Sequence, residues 1–164
     1  MESKPTVRVR SELLAAVNTF VRSASKLRGV ARIALVGSLT TPKPNPKDAD
    51  VIVYVADEME LSTLARIGRQ LKGTAQQINC GADIFLANPN GEYIGRICHW
   101  KECRPGVRIR CYALNCGLRP HLYDDLDTLC LDSSLIAEPP LDLWPKVIER
   151  AGLPPDVRKF LLSR

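Results

Sequence analysis

Two aspartates, Asp48 and Asp50, stand at the head of an apolar run, "DADVIVYV". Aspartate is a poor strand residue, so the pair calls for a chemical reason. On a strand, residues two apart point to the same face. Two carboxylates ~4 Å apart repel by ~4 kcal/mol at an effective dielectric of 20. A cation between them turns that cost into attraction. Magnesium suits the task, because it takes oxygen ligands and keeps waters or phosphates in its shell. Asp83, in "ADIFLA", is a third acid with apolar flanks. It can complete the cluster if its strand lies beside that of Asp48 and Asp50.

Upstream, "ALVGS" ends an apolar run with Gly37 and Ser38. Glycine lets the backbone approach a ligand closely. The Ser38 N–H and hydroxyl could then hold a phosphate. Phosphate, cation and three acids together suggest phosphoryl or nucleotidyl transfer, where metals stabilise both the attacking and the leaving oxygen. The connecting loop alternates Pro42, Pro44 and Pro46 with Thr41, Lys43, Asn45 and Lys47. Residues before proline avoid the α region, so at most one helical turn fits before Pro42 and the rest should be extended. Lys43 and Lys47 could contact phosphate as point charges.

"ALVGS", nine residues, "DAD" and later "ADIF" resemble the DNA polymerase beta-like nucleotidyltransferase superfamily, in its minimal form. The resemblance spans Ile33 to Ala87. It implies that Gly37 and Ser38 contact the triphosphate and that Asp48 and Asp50 hold Mg²⁺. Asp83 would be the third ligand and would help deprotonate the acceptor hydroxyl. The implied reaction moves a nucleoside monophosphate from an NTP to a hydroxyl, on a nucleic acid, a small molecule or a protein. Some minimal members of the superfamily act with a helical partner protein. The proline loop departs from the short helix that often follows Gly-Ser there.

A second constellation lies between Cys98 and His121, "CHWKECRPGVRIRCYALNCGLRPH". Cys98/Cys103 and Cys111/Cys116 form two C-x4-C pairs, enough for a tetrahedral zinc site, with His99 and His121 as alternative ligands. The spacing is wide for structural zinc. Free cysteines are also among the most buried residue types. From Arg96 to His121 six basic residues face only Glu102, so this window carries as much net charge as the whole chain, +5. With Trp100 and Tyr112 it offers phosphate contacts and stacking to a nucleic acid. The alternative to an enzyme is thus a non-catalytic zinc- and nucleic-acid-binding module that keeps the same fold.

The elements that must position these groups read as follows. Ser11 caps a helix running through Arg28, with Leu13, Leu14, Val17, Phe20, Val21, Ala24 and Leu27 on one face and Gly29 as its stop. Strands are expected at 31–37, 50–55 and 82–87, and a helix from Met59 to Leu71 with Gly73 as its stop. "NPNG" closes the third strand. Asp142 caps a further helix through about Arg150, with Trp144, Val147 and Ile148 on its apolar face. A last short helix follows at "PPDVRKFLL". The expected fold is a layered α+β domain: a small mixed sheet backed by helices, with a Cys/His-rich extension.

One domain is expected over all 164 residues, with its core at about 11–90, the basic segment at 96–121 and C-terminal helices at about 141–163. No apolar run reaches the ~20 residues of a membrane span, and "MESKPTVRVR" lacks the apolar stretch of a secretory signal. The expectation is a cytoplasmic protein without membrane contact, whose cysteines are thiols or ligands.

Overall fold

The computed structural model describes residues 5–99, 119–123, 140–149 and 151–162. Helix α1 (Pro5–Ala24) leads into β1 (Val30–Val36), a short 3₁₀ turn (Gly37–Thr40) and β2 (Asp48–Val55). Helix α2 (Ser62–Gln76), β3 (Gly81–Ala87) and β4 (Tyr93–Ile97) follow. Then come β5 (Leu122–Tyr123), β6 (Leu141–Trp144), a single turn α3 (Pro155–Val157) and a π-helical turn (Arg158–Leu162). The six strands form one mixed sheet in the order β5-β4-β3-β2-β1-β6. Among the described residues only β2 and β3 run parallel, and α2 is the connection between them. The α+β class and the helix-backed mixed sheet are therefore as expected.

Strand alternation divides the sheet into two faces. Ile33 and Leu35 on β1, Val51 and Val53 on β2, Ile84 and Leu86 on β3, and Leu141 and Leu143 on β6 are all buried in one core. Against them α1 lays Leu13, Leu14, Val17, Phe20 and Val21, and α2 lays Leu64, Ile67 and Leu71. The other face carries the intervening residues, which include Arg32, Asp48, Asp50, Tyr54, Asp83, Arg96 and Asp142. Arg32 Nη2 pairs there with Asp142 Oδ1 at 2.6 Å, and its guanidinium lies 4.6 Å from the Tyr54 ring centre.

Several boundaries differ from the sequence reading. Ser11 does not cap α1; it lies inside the helix and its hydroxyl donates to the Arg8 carbonyl at 3.0 Å. Proline is accepted in a first helical turn, which lets the helix begin at Pro5. α2 runs through Gly73 to Gln76, because Leu71 and Ala75 on either side are buried. That packing outweighs the ~1 kcal/mol that glycine costs in a helix.

The helix expected from Asp142 is instead the strand β6, paired antiparallel with β1. "LDLW" alternates with period two, and Pro145 follows it, so a helix has neither the period nor the N–H donor to continue. Val147 and Ile148 are exposed rather than on a buried face. The short strands β4 and β5 were not foreseen.

Candidate active site at the head of strands β2 and β3

The register brings the aspartates together at one end of the sheet. In the parallel pair, Asp48 stands opposite Gly81 and Asp50 opposite Asp83. Partners in a parallel ladder are about 4.8 Å apart, and same-face neighbours along a strand about 6.6 Å. Asp50 and Asp83 thus sit side by side, with Asp48 at the next same-face position. β2 does begin at Asp48, as the shared face requires. Asp50 is buried, Asp83 half-buried and Asp48 exposed.

β1 supplies the next part. Val36 pairs with Asp50, so Gly37 and Ser38 leave the sheet beside that carboxylate. Gly37 has φ 78°, a left-handed conformation that glycine adopts without a Cβ clash. The turn it opens is closed by the Ser38 carbonyl, which accepts from the Thr41 N–H at 3.1 Å and the Thr41 hydroxyl at 2.7 Å. Thr40 Oγ1 donates to the Gly37 carbonyl at 2.8 Å. One short turn before Pro42 is what the proline spacing allowed. Lys43 and Lys47 are exposed along the loop that follows, and both anchor it through their carbonyls. The Lys47 carbonyl accepts from the Gly81 N–H at 2.8 Å.

Three residues outside the expected catalytic set shape this region. Arg10, from α1, is buried; its Nη1 donates to the Lys43 carbonyl at 2.9 Å and its Nη2 to the Leu39 carbonyl at 3.3 Å. The same guanidinium pairs with both carboxylate oxygens of Asp156 on α3, at 2.7 and 3.1 Å. It ties the Gly-Ser turn and the proline loop to the helical layer. Arg96, from β4, places Nη1 3.4 Å from Asp83 Oδ1 and stands 5.2 Å from the Tyr123 ring centre. Gly81 leaves room for Asp48: a Cβ at residue 81 would lie 2.5 Å from Asp48 Oδ1. The negative charge of Asp48 also reaches Cys80, whose thiol pKa is raised first by burial and then by that carboxylate. The contacts of Arg10 and Arg96 span long stretches of sequence, so no local pattern announces them. That Gly81 stands opposite Asp48 follows from the parallel register alone.

The oxygen-only donor set and the shared face suit the chemistry of a hard divalent cation. Among the described residues no three His, Cys, Asp or Glu side chains are drawn closely enough to hold a metal ion. The three aspartates share a face and an end of the sheet without forming a closed set, and Asp83 is paired with Arg96.

Of the proposed zinc ligands, Cys103, Cys111 and Cys116 lie outside the described residues, as do Lys101, Arg104, Arg108, Arg110, Trp100 and Tyr112. Cys98 and His121 meet through their backbones, the Cys98 N–H donating to the His121 carbonyl at 2.7 Å. His121 Nδ1 lies 3.2 Å from the Cys98 carbonyl oxygen. His99 packs against α2, where Gly68 makes space: a Cβ at residue 68 would lie 3.2 Å from His99 Cε1. Its Nδ1 is buried without a hydrogen-bond partner. Burial, with Lys72, Arg69 and Arg96 nearby, pushes the His99 pKa down to about 4. Arg119 donates to the Ala56 carbonyl at 3.3 Å, and also to that of Met59; it is a structural strap between β5 and the turn after β2.

No helix among the described residues is long and apolar enough to cross a membrane. No curated protein matches the chain, and no solved structure does. One family model matches residues 2–104, which takes in α1, the Gly-Ser turn and the strands that carry Asp48, Asp50 and Asp83. On that match the chain belongs to the family described as a family of unknown function, DUF6932.

Proposed function

We propose that the chain is a Mg²⁺-dependent nucleotidyltransferase of the minimal, DNA polymerase beta-like kind. The supporting observation is the register: Asp50 stands between Val36, the last residue before the Gly-Ser turn, and Asp83 on the parallel strand. A phosphate-facing turn and two carboxylates thereby share one end of three adjacent strands, with Asp48 next in the row.

In this reading Asp48, Asp50 and Asp83 would hold Mg²⁺, which neutralises triphosphate charge and orients it. Gly37 and Ser38 bind the phosphates through backbone N–H and hydroxyl, in a turn that Arg10 keeps in place. Lys43 and Lys47 add charge from the loop. Asp83 accepts the proton of the acceptor hydroxyl as its oxygen bonds to the α-phosphorus and the bond to the pyrophosphate oxygen breaks. Arg96, with Nη1 3.4 Å from Asp83 Oδ1, holds that carboxylate in its place on the sheet face. The acceptor is a hydroxyl of a nucleic acid, small molecule or protein, and the +5 charge of the segment 96–121 would attract an acid-rich one.

The experiment is incubation of the purified chain with labelled NTPs, Mg²⁺ and cell extract. Covalent label that depends on Mg²⁺ and is lost with Asp50→Asn supports transfer.

The Arg96–Asp83 pair also favours a second reading, because a guanidinium already occupies the third carboxylate. The chain would then be a non-catalytic module that keeps the fold and binds zinc and nucleic acid through 96–121. Nucleic-acid binding with a steep salt slope, lost on changing the arginines of that segment, with no labelling from NTP, would select this reading.

A further inference from the structure

Gly81 starts β3 directly opposite Asp48. Its φ is not in the left-handed region, where glycine would be required by the backbone. Its N–H donates to the Lys47 carbonyl as any residue's would. What it lacks is a Cβ, and the place of that atom is taken: Asp48 Oδ1 lies 2.5 Å from it, and Asp48 Cγ 3.7 Å. Among the described residues, its two chain neighbours aside, no other atom comes within 4 Å. The carboxylate of Asp48 has therefore leaned across from β2 onto β3. Cβ positions two apart on a strand face the same way, so the oxygen lies in the row that Asp83 continues.

We infer that Gly81 is a positioning residue for Asp48: its missing side chain is the seat that brings the Asp48 carboxylate into line with Asp50 and Asp83. This inference rests on the reading of those three acids as a divalent-cation site. Gly81 touches neither cation nor nucleotide in this account. It acts through Asp48 alone, by leaving a volume unfilled. The backbone at 81 accepts alanine, and among the described residues the obstacle is the far end of a side chain that can rotate away. Replacement should then unseat Asp48 while leaving the strand intact.

The test compares wild type, Gly81→Ala and Asp48→Asn in Mn²⁺ binding, followed by calorimetry and by the proton-relaxation signal of the bound ion. Thermal unfolding is measured on the same samples without metal. Gly81→Ala is expected to keep the wild-type melting temperature or exceed it, yet to bind Mn²⁺ about tenfold or more weaker, as misplaced ligands do. Asp48→Asn should show the same loss. In the double variant, alanine at 81 should add nothing to Asp48→Asn. Wild-type affinity in Gly81→Ala, beside a loss in Asp48→Asn, overturns this inference and leaves the cation site standing. A lower affinity in Gly81→Ala that persists in the double variant also overturns it, since the glycine then acts otherwise than through Asp48. Absence of Mn²⁺ binding by wild type overturns the cation site and this inference with it.

Discussion

Asp50 and Asp83 face each other across a parallel ladder, and Asp50 is buried. Arg96 answers the Asp83 charge, and Asp50→Asn removes a charged ligand while keeping the size of the side chain and one acceptor oxygen. It should abolish Mn²⁺-dependent NTP binding without lowering the melting temperature of the metal-free protein. A fall of many degrees would show that Asp50 is held as a structural acceptor instead. His99 gives a separate test at this scale. Its folded pKa of about 4 lies below the unfolded value of 6.5, so the fold prefers the neutral ring. The associated stability is whole above pH 6.5 and is lost as pH falls toward 4, when the unfolded chain takes up the proton first. The effect is at most about 3 kcal/mol, reduced by whatever water reaches the ring. His99→Leu should flatten that part of the stability–pH curve; an unchanged slope would place the acid sensitivity in other groups.

At the scale of elements, α2 carries two glycines with opposite roles. A Cβ at Gly73 would meet nothing within 4 Å, whereas one at Gly68 would lie 2.5 Å from Ile84 Cδ1. Gly73→Ala should stabilise by about 0.5–1 kcal/mol through helix propensity. Gly68→Ala should destabilise, because Ile84 is buried on β3 and has little room to move. Chemical denaturation of both variants checks the pair, and equal effects would refute the packing described for α2 on β3. These elements also show what the sequence could reveal. Strands β1, β2 and β3 and the core faces of both helices were legible, since Leu13, Val17, Phe20, Leu64 and Leu71 keep a 3.6-residue period. β6 reads as a helix in the sequence because Trp144, Val147 and Ile148 also fit a helical face, which masks the two-residue alternation of Leu141 and Leu143. β4, "YIGRI", is interrupted by Gly95, which hides its period. Asp48, Asp50 and Asp83 were legible as one face, whereas Arg10, Arg96 and Gly81 act through pairings that only the folded register creates.

For the whole molecule, charge and chemistry are unevenly placed. The net +5 resides in the segment from Arg96 to His121, while the acids of the proposed site gather at the head of β2 and β3. If zinc organises that segment, protein purified without chelator should carry about one equivalent, and removing it should destabilise the fold. Substoichiometric zinc with freely reactive thiols would make the segment an ordinary basic stretch. The cation site is the claim on which the rest depends, and paramagnetic broadening of backbone amide signals by Mn²⁺ tests it most directly. With NTP present, the amides of Gly37, Ser38, Asp48, Asp50, Gly81 and Asp83 should broaden first, while those of Gln70 and Thr74 on the exposed side of α2 stay sharp. Asp50→Asn should abolish the effect. Broadening that begins elsewhere, or that survives Asp50→Asn unchanged, would contradict the account.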